Sequence, residues 1–269
     1  MKRLSILKLG GELIENDLRL KAMGKAIRTA AKKGRLVVVH GGGREIDAAL
    51  AQVGIPKRQV DGLRVTDPET LNIVVSVLAG TINTKFVAAI NAGGGKAVGL
   101  TGADAGVAPV EKAAPHKATN GETIDLGMVG MPIKAASSEV IETLCKAGYV
   151  PVIACVSAGK NGKLYNVNAD TLAGSLAARL QAKRLVIAGA TPGVLDKKNQ
   201  TIAKLDAERI EKLVKSGTAN AGMVAKLAAC QMALKGGAKS VVIVDGRAPG
   251  RLVKALSGEK TSATTKVVN

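Results

Sequence analysis

Two lysines and two glycine-rich turns stand where an anion could be met. Lys8 comes near the end of an apolar run, residues 4–9, and Gly10-Gly11 follow it. Its stem would lie among apolar neighbours, and its ammonium would emerge where the glycines expose backbone N–H groups. A lysine snorkelling at a strand end before an ordinary turn has the same signature. The second turn is His40-Gly41-Gly42-Gly43, between an apolar run and a helical pattern. Three successive glycines are entropically costly unless the backbone must approach something closely. Free N–H groups ahead of a helix suit an oxyanion. The spacing is neither that of a Walker loop nor that of a dinucleotide fingerprint. His40 reads as a structural, hydrogen-bonded residue.

Further segments carry polar groups at informative places. Arg64 lies in Gly62-Leu63-Arg64-Val65-Thr66, where a planar fork could grip a carboxylate. Taken alone, a surface salt bridge is the simpler reading. In Asn166-Val167-Asn168-Ala169-Asp170, alternation puts Asn166 and Asn168 on one side of an extended segment. Asp170 falls in the first turn of the next helix, where acids are common caps. It could instead hold two lysines in register. Lys226 closes Gly222-Met223-Val224-Ala225-Lys226 near a helix start, against the macrodipole. Pro192-Gly193-Val194-Leu195-Asp196 follows a strand and has the character of a loop at a nucleotide's edge.

The elements that must position these groups alternate in type. Strand patterns at 4–9, 35–39, 96–100, 149–155, 183–188 and 240–244 are separated by helical periodicity. Asp67-Pro68-Glu69 supplies a cap, a first-turn proline and an early acid for a long helix that Gly93 to Gly95 ends. Residues 102–132 read as hairpins and loops, and 240–244 as the last strand. The alternation predicts an α/β fold with a mostly parallel sheet covered by helices. No repeat or linker divides the chain, so any two lobes share one sheet.

Composition narrows the function classes. The 269 residues carry 39 Lys and Arg against 21 Asp and Glu, a net charge of +18. Such a surface attracts nucleotides, nucleic acids or acidic proteins. Aromatic residues are only 1%, which leaves little for base stacking, and the basic residues form no single run. Cys145, Cys155 and Cys230 are odd in number and scattered, as reduced core thiols would be. No metal site is expected. No uninterrupted apolar run has membrane-span length, and the N-terminus lacks a signal-peptide pattern, so a cytoplasmic protein is expected.

In order along the chain, KLGGELI, VVVHGGG, GLRVT, AVGLTGAD, DLGMVG, GYVPVIA, LYNVNADTLAG, PGVLD, GMVAKL and VDGR resemble the amino-acid kinase family. GLRVT and NVNAD resemble the members that phosphorylate N-acetyl-L-glutamate. The resemblance implies an open αβα sandwich of the carbamate kinase type. A lobe of residues 1–155 would bind the acyl-amino acid and dimerise, and a lobe of 156–269 would bind ATP with Mg²⁺. Lys8 and Lys226 match the pair that stabilises the transferring phosphoryl group, and Asp170 the acid that organises them. Gly10 and Gly11 match backbone donors to the phosphates. Gly42 and Gly43 match the substrate loop, and Arg64 and Asn166 match the groups on the substrate's α-carboxylate. Ala190, Thr191, Pro192, Gly193, Val194 and Leu195, with Thr218, Ala219 and Asn220, fall on nucleotide-contacting stretches.

The chain departs from the family pattern in two places. Gly189-Ala190 stand where Ser/Thr-Asp is common, and Ala225 where Pro is common. The resemblance implies a homodimer. Because the chain opens at its first strand, insensitivity to arginine is also expected. Two alternatives stay open. One is a related kinase acting on an acidic carrier protein in lysine biosynthesis, which the charge would suit. The other is a basic nucleic-acid-binding protein without catalysis.

Overall fold

The computed structural model describes residues 4–119, 121–134, 137–219 and 221–269. Strands β1 (Ser5–Leu9) and β2 (Leu36–His40) lie at the middle of an eight-stranded sheet. Its order is Lys204–Leu205, Thr264–Val267, Val241–Asp245, Arg184–Gly189, β1, β2, Val150–Ala154 and Ala97–Thr101. The strands are apolar on both faces, as parallel strands covered by helices must be. Six strands run parallel. Thr264–Val267 pairs antiparallel with Val241–Asp245, and Lys204–Leu205 follows its direction.

These two edge strands correct the expectation that 240–244 ends the sheet. Both are short, and three of the four residues in TTKV are polar, whereas the central strands are mostly apolar. Edge strands are half-solvated, so they lack the continuous apolar run that marks the others. The strands of the first 155 residues occupy one half of the sheet and the later ones the other. The halves meet where β1 pairs with Arg184–Gly189.

Nine helices cover the sheet among the described residues: α1 (Asp17–Lys33), α2 (Gly43–Gln52), α3 (Pro68–Val75), α4 (Asn83–Ala92), α5 (Glu139–Lys146), α6 (Ala169–Arg179), α7 (Ala207–Lys215), α8 (Ala221–Lys235) and α9 (Pro249–Ser257). Side-chain caps set several starts. Asn16, Asp67, Asn168 and Asp206 each accept a backbone N–H of the first turn of α1, α3, α6 and α7. Residues 102–132 form hairpins, Val110–Lys112 with Gly130–Pro132 and His116–Lys117 with Thr123–Ile124, as their turn-rich sequence predicts.

The long helix after Asp67 is not uniform. Residues Ser76–Ile82 are π-helical between α3 and α4. This extra residue per turn brings Leu78 and Ile82 under the second glycine turn. A Cβ on Gly42 would lie 2.1 Å from Ile82 Cδ1, so only glycine fits there. The whole rod Pro68–Ala92 is long and apolar enough, by length and composition, to cross a membrane, with a mean hydropathy of 1.8 over its best window. A count of uninterrupted apolar residues does not reveal it, because Asn72, Ser76 and Asn83 interrupt the run. Leu71, Val74, Leu78, Phe86 and Ile90 face the core. Buried Asn83 bonds His40 and the Val152 carbonyl, which ties the rod to the sheet.

On the opposite side, α6 and α8 pack almost backbone to backbone. A Cβ on Gly174 would lie 2.7 Å from the Ala229 carbonyl oxygen, and one on Gly236 only 2.2 Å from Ala178 Cβ. Small residues at Gly174 and Ala178, four apart, make this approach possible. Gly174→Ala therefore forces the helices apart. We expect a loss of about 1–3 kcal/mol in denaturant unfolding, with a drop in turnover because α8 carries Lys226.

Candidate active site

At the carboxyl ends of the central strands lies a buried charge triad. Asp170 Oδ1 is 3.0 Å from Lys8 Nζ and Oδ2 is 3.4 Å from Lys226 Nζ. The three side chains are 9%, 10% and 15% exposed for Asp170, Lys8 and Lys226. Lys8 comes from β1, Asp170 from the second position of α6, and Lys226 from the second turn of α8. Asn168 caps α6 by accepting the N–H groups of Asp170 and Thr171 at 2.9 and 3.1 Å, and so sets where the carboxylate points.

The electrostatics differ for the two lysines. Burial alone lowers the Lys8 ammonium's pKa, but the adjoining Asp170 carboxylate more than offsets this, and the net shift is upward. Burial and repulsion from Lys8 lower Lys226, and Asp170 only partly compensates. Burial would raise the Asp170 carboxyl, yet the two lysines hold it below the usual range. The site therefore keeps a carboxylate between two cations, with a net positive charge that an anion can answer.

The two glycine turns abut. A Cβ on Gly11 would be 3.1 Å from Gly42 Cα. The Gly10 N–H is taken by the Ala188 carbonyl at 3.0 Å, so of this pair only Gly11 keeps a backbone donor free for a ligand. Helix α2 starts at Gly43 with no side-chain cap on Gly42, leaving its first N–H groups open to an anion. His40 holds this turn. Its Nδ1–H donates to the Gly41 carbonyl at 3.1 Å, and its Nε2 accepts from Asn83 at 3.0 Å. Burial lowers its pKa to about 4, so the ring is neutral and structural, as its sequence context suggested.

Beside this turn stands Arg64, which is buried rather than part of a surface salt bridge. Its Nη2 donates to the Gly43 carbonyl at 3.2 Å and pairs with Asp47, which also holds Lys57 at 2.6 Å. Arg64 Nη1 is buried with no hydrogen-bond partner among the described residues. Such a donor is costly unless a ligand answers it. Asn166 donates to Thr66 Oγ1 at 3.2 Å, which brings its side chain beside the Arg64 segment. Although Asn166 follows residue 155, its strand Leu164–Asn166 bridges Val129 and belongs spatially with the first half.

Across the triad, Thr191, Gly193, Val194, Leu195, Thr218 and Ala219 line one cavity of about 240 Å³. Asp196, Asn199, Leu213 and Met223 complete its wall. Pro192 lies just outside and turns its carbonyl to Thr201 Oγ1. Ala190 donates its N–H to Glu12 at 3.1 Å. Asn220 lies outside the described residues. The three cysteines are buried free thiols. Burial raises Cys145 to about 11 and Cys155 to about 12, which leaves them inert.

The family described as the Amino acid kinase family matches residues 3–245. The acetylglutamate kinase of Novosphingobium aromaticivorans is 44% identical over 251 residues, covering 90% of this chain and 80% of that protein. The chain belongs to the amino acid kinase family, among its acetylglutamate kinases. The acetylglutamate kinase of Methanopyrus kandleri is 40% identical over 253 residues, covering 92% of this chain and 98% of its own. The solved N-acetylglutamate synthase of Neisseria gonorrhoeae superposes with a TM-score of 0.83 at 23% identity. It covers 99% of this kinase, which spans 59% of that longer chain. Carbamate kinase from Giardia lamblia bound to AMP-PNP gives a TM-score of 0.71 at 16% identity, with 100% and 99% coverage. These structures share the fold.

Sequence reasoning missed Asp47, Asn83 and Glu12 as site neighbours. Asp47 sits four residues after Gly43 on the same helix, a spacing that places it over that turn. Asn83 had no local signal, because its partners are 43 and 69 residues away. His40 also has a measurable consequence. A folded pKa near 4 against 6.5 means the unfolded chain takes up the proton first as pH falls. Stability present above pH 6.5 should then be lost toward pH 4, on the order of 3 kcal/mol for this one group. Denaturant titrations of wild type and His40→Asn at several pH values should show the slope shrinking in the variant.

Proposed function

We propose that this kinase transfers the γ-phosphoryl group of MgATP to the γ-carboxylate of N-acetyl-L-glutamate, the second step of arginine biosynthesis through acetylated intermediates. The observation that carries the mechanism is Asp170 held between the buried Lys8 and Lys226 ammonium groups. The names of the relatives supply the substrate, and they favour the free substrate over a carrier-bound one.

The acceptor carboxylate is already a nucleophile near neutral pH, so no general base is needed. One of its oxygens forms a bond to the γ-phosphorus as the bond from that phosphorus to the β,γ-bridging oxygen breaks. ADP leaves, and N-acetyl-L-glutamyl 5-phosphate forms. The obstacle is repulsion between an anionic acceptor and a polyanionic donor. Lys8 and Lys226 meet the charge on the transferring group from two sides, and Asp170 stops the two cations from repelling each other apart. Gly11 presents a backbone donor to the phosphates, and Gly42 and Gly43 present theirs at the acceptor's side.

Arg64 and Asn166 grip the α-carboxylate, which gives the unpartnered Nη1 its acceptor. The cavity lined by Thr191 and Thr218 takes the nucleoside. Asp170 is engaged by both lysines, so Mg²⁺ would enter with the nucleotide and would supply charge screening there. Residues 1–155, joined by the strand Leu164–Asn166 that packs against them, form the acyl-amino-acid lobe, and the rest of 156–269 forms the nucleotide lobe. The enzyme works as a homodimer in the cytoplasm.

A hydroxamate assay with ATP and N-acetylglutamate tests the reading, and a folded protein with no hydroxamate product would sink it. Lys8→Ala and Lys226→Ala should each lower kcat by roughly 100-fold or more while changing KM little. Arg64→Ala should instead raise KM for N-acetylglutamate roughly tenfold or more. Because Lys226 sits below the ordinary lysine range, kcat should fall on the alkaline side before Lys8 titrates. Lys226→Arg, with its higher pKa, should move that limb upward.

A further inference from the structure

Glu12 occupies a place that the reaction requires for something else. The residue follows the first glycine pair, in the short 3₁₀ turn Gly11–Leu13. Its side chain folds back over the strand end. A Cβ on Gly10 would stand 2.4 Å from both carboxylate oxygens, and one on Gly189 would stand 3.3 Å from Oε1. Oε1 accepts the Ala190 N–H at 3.1 Å. The same carboxylate is close enough to Lys8 to help hold its proton. Glu12 thus links the end of β1 to the end of the strand Arg184–Gly189, across the seam between the two halves of the sheet.

The path between the nucleoside cavity and the lysine pair runs over this seam. Thr191 and Gly193 line the cavity, Ala190 precedes them, and Lys8 lies two residues before Gly10. A polyphosphate reaching from cavity to lysines must cross the Ala190 amide and the face of Gly10. Both are covered by the Glu12 carboxylate. That carboxylate has the charge and the acceptor geometry of a phosphate oxygen. It also has no basic side chain of its own within ion-pair distance among the described residues; Arg19 reaches only its backbone carbonyl, at 2.9 Å.

We propose that Glu12 is a resident anion that holds the Ala190 amide and covers the face of Gly10 until the nucleotide displaces it, and so selects the magnesium-bound nucleotide over the free one. This rests on the reading of the site as a nucleotide-dependent kinase. The physical reason is charge. A metal-free nucleotide polyphosphate brings more negative charge past the carboxylate than its magnesium complex does, and at short range in a partly dry site the difference is not screened away. Glu12 therefore weakens both forms and weakens the free form more. It is a specificity-determining residue that acts by repulsion rather than by a contact to the preferred ligand.

Titration calorimetry of ADP with the full chain, once with magnesium and once with EDTA, tests this. Glu12→Gln keeps the shape and an acceptor for Ala190 but removes the charge. It should tighten ADP binding in EDTA roughly tenfold and in magnesium roughly threefold, which narrows the preference for the metal complex. Glu12→Ser should move both affinities in the same direction, so a folding defect in one variant does not decide the outcome. Unchanged affinities overturn the proposal. So does weaker binding confined to the magnesium arm, which would make Glu12 a metal ligand. If wild type and both variants fail to bind ADP under either condition, the kinase reading fails and this one with it. If wild type binds and turns over while both variants match it, only the role of Glu12 is lost.

Discussion

One carboxylate between two ammonium groups governs the design of this molecule. Two lysines buried together would repel each other and would each lose hydration. Asp170 makes their burial tolerable by facing both, at 3.0 and 3.4 Å. The arrangement still leaves one positive charge in excess, and that excess is what attracts a transferring phosphoryl group. The partners come from three separate elements, so the triad is only as exact as the packing between β1, α6 and α8. This accounts for the small residues along the α6–α8 contact. A bulkier side chain at Gly174 would move Lys226 away from Asp170 before it touched anything catalytic.

The other side of the site is held by a neutral polar network. His40 binds the carbonyl of Gly41, Asn83 binds His40 and the neighbouring strand, and the π-helical segment carries Leu78 and Ile82 beneath Gly42. The glycine turn gains rigidity from these contacts without any side chain that could fill the anion's place. The two turns then meet at Gly11 and Gly42. Charge is thus supplied by the lysines, and shape by a backbone that packing from below has fixed in advance.

Much of this was legible in the order of residues. The strand and helix alternation predicted a parallel sheet, the cap at Asp67 predicted a helix start that the structure has, and Asp170 lies in a first helical turn as its context suggested. Lys8, Asp170 and Lys226 carried ambiguous signals singly, and their order carried the resemblance. The reason is local. Apolar periodicity, glycine runs and capping residues act through neighbours in sequence, so they can be read without a fold.

Other features depended on contacts between distant segments. The edge strands at 204–205 and 264–267 have little pattern of their own and exist because the sheet offers them an edge. The Gly10 N–H, expected to meet phosphate, is claimed by Ala188, a partner 178 residues away. Arg64, which in isolation reads as a surface ion pair, is buried with one nitrogen unanswered. Glu12 follows the glycine pair in sequence, yet its significance comes from Ala190 on the adjacent strand. The sequence by itself determined which groups the protein has for handling anions and which elements carry them. The tertiary structure alone decided which of those groups remain free, because a donor's availability depends on every partner that the fold brings within reach.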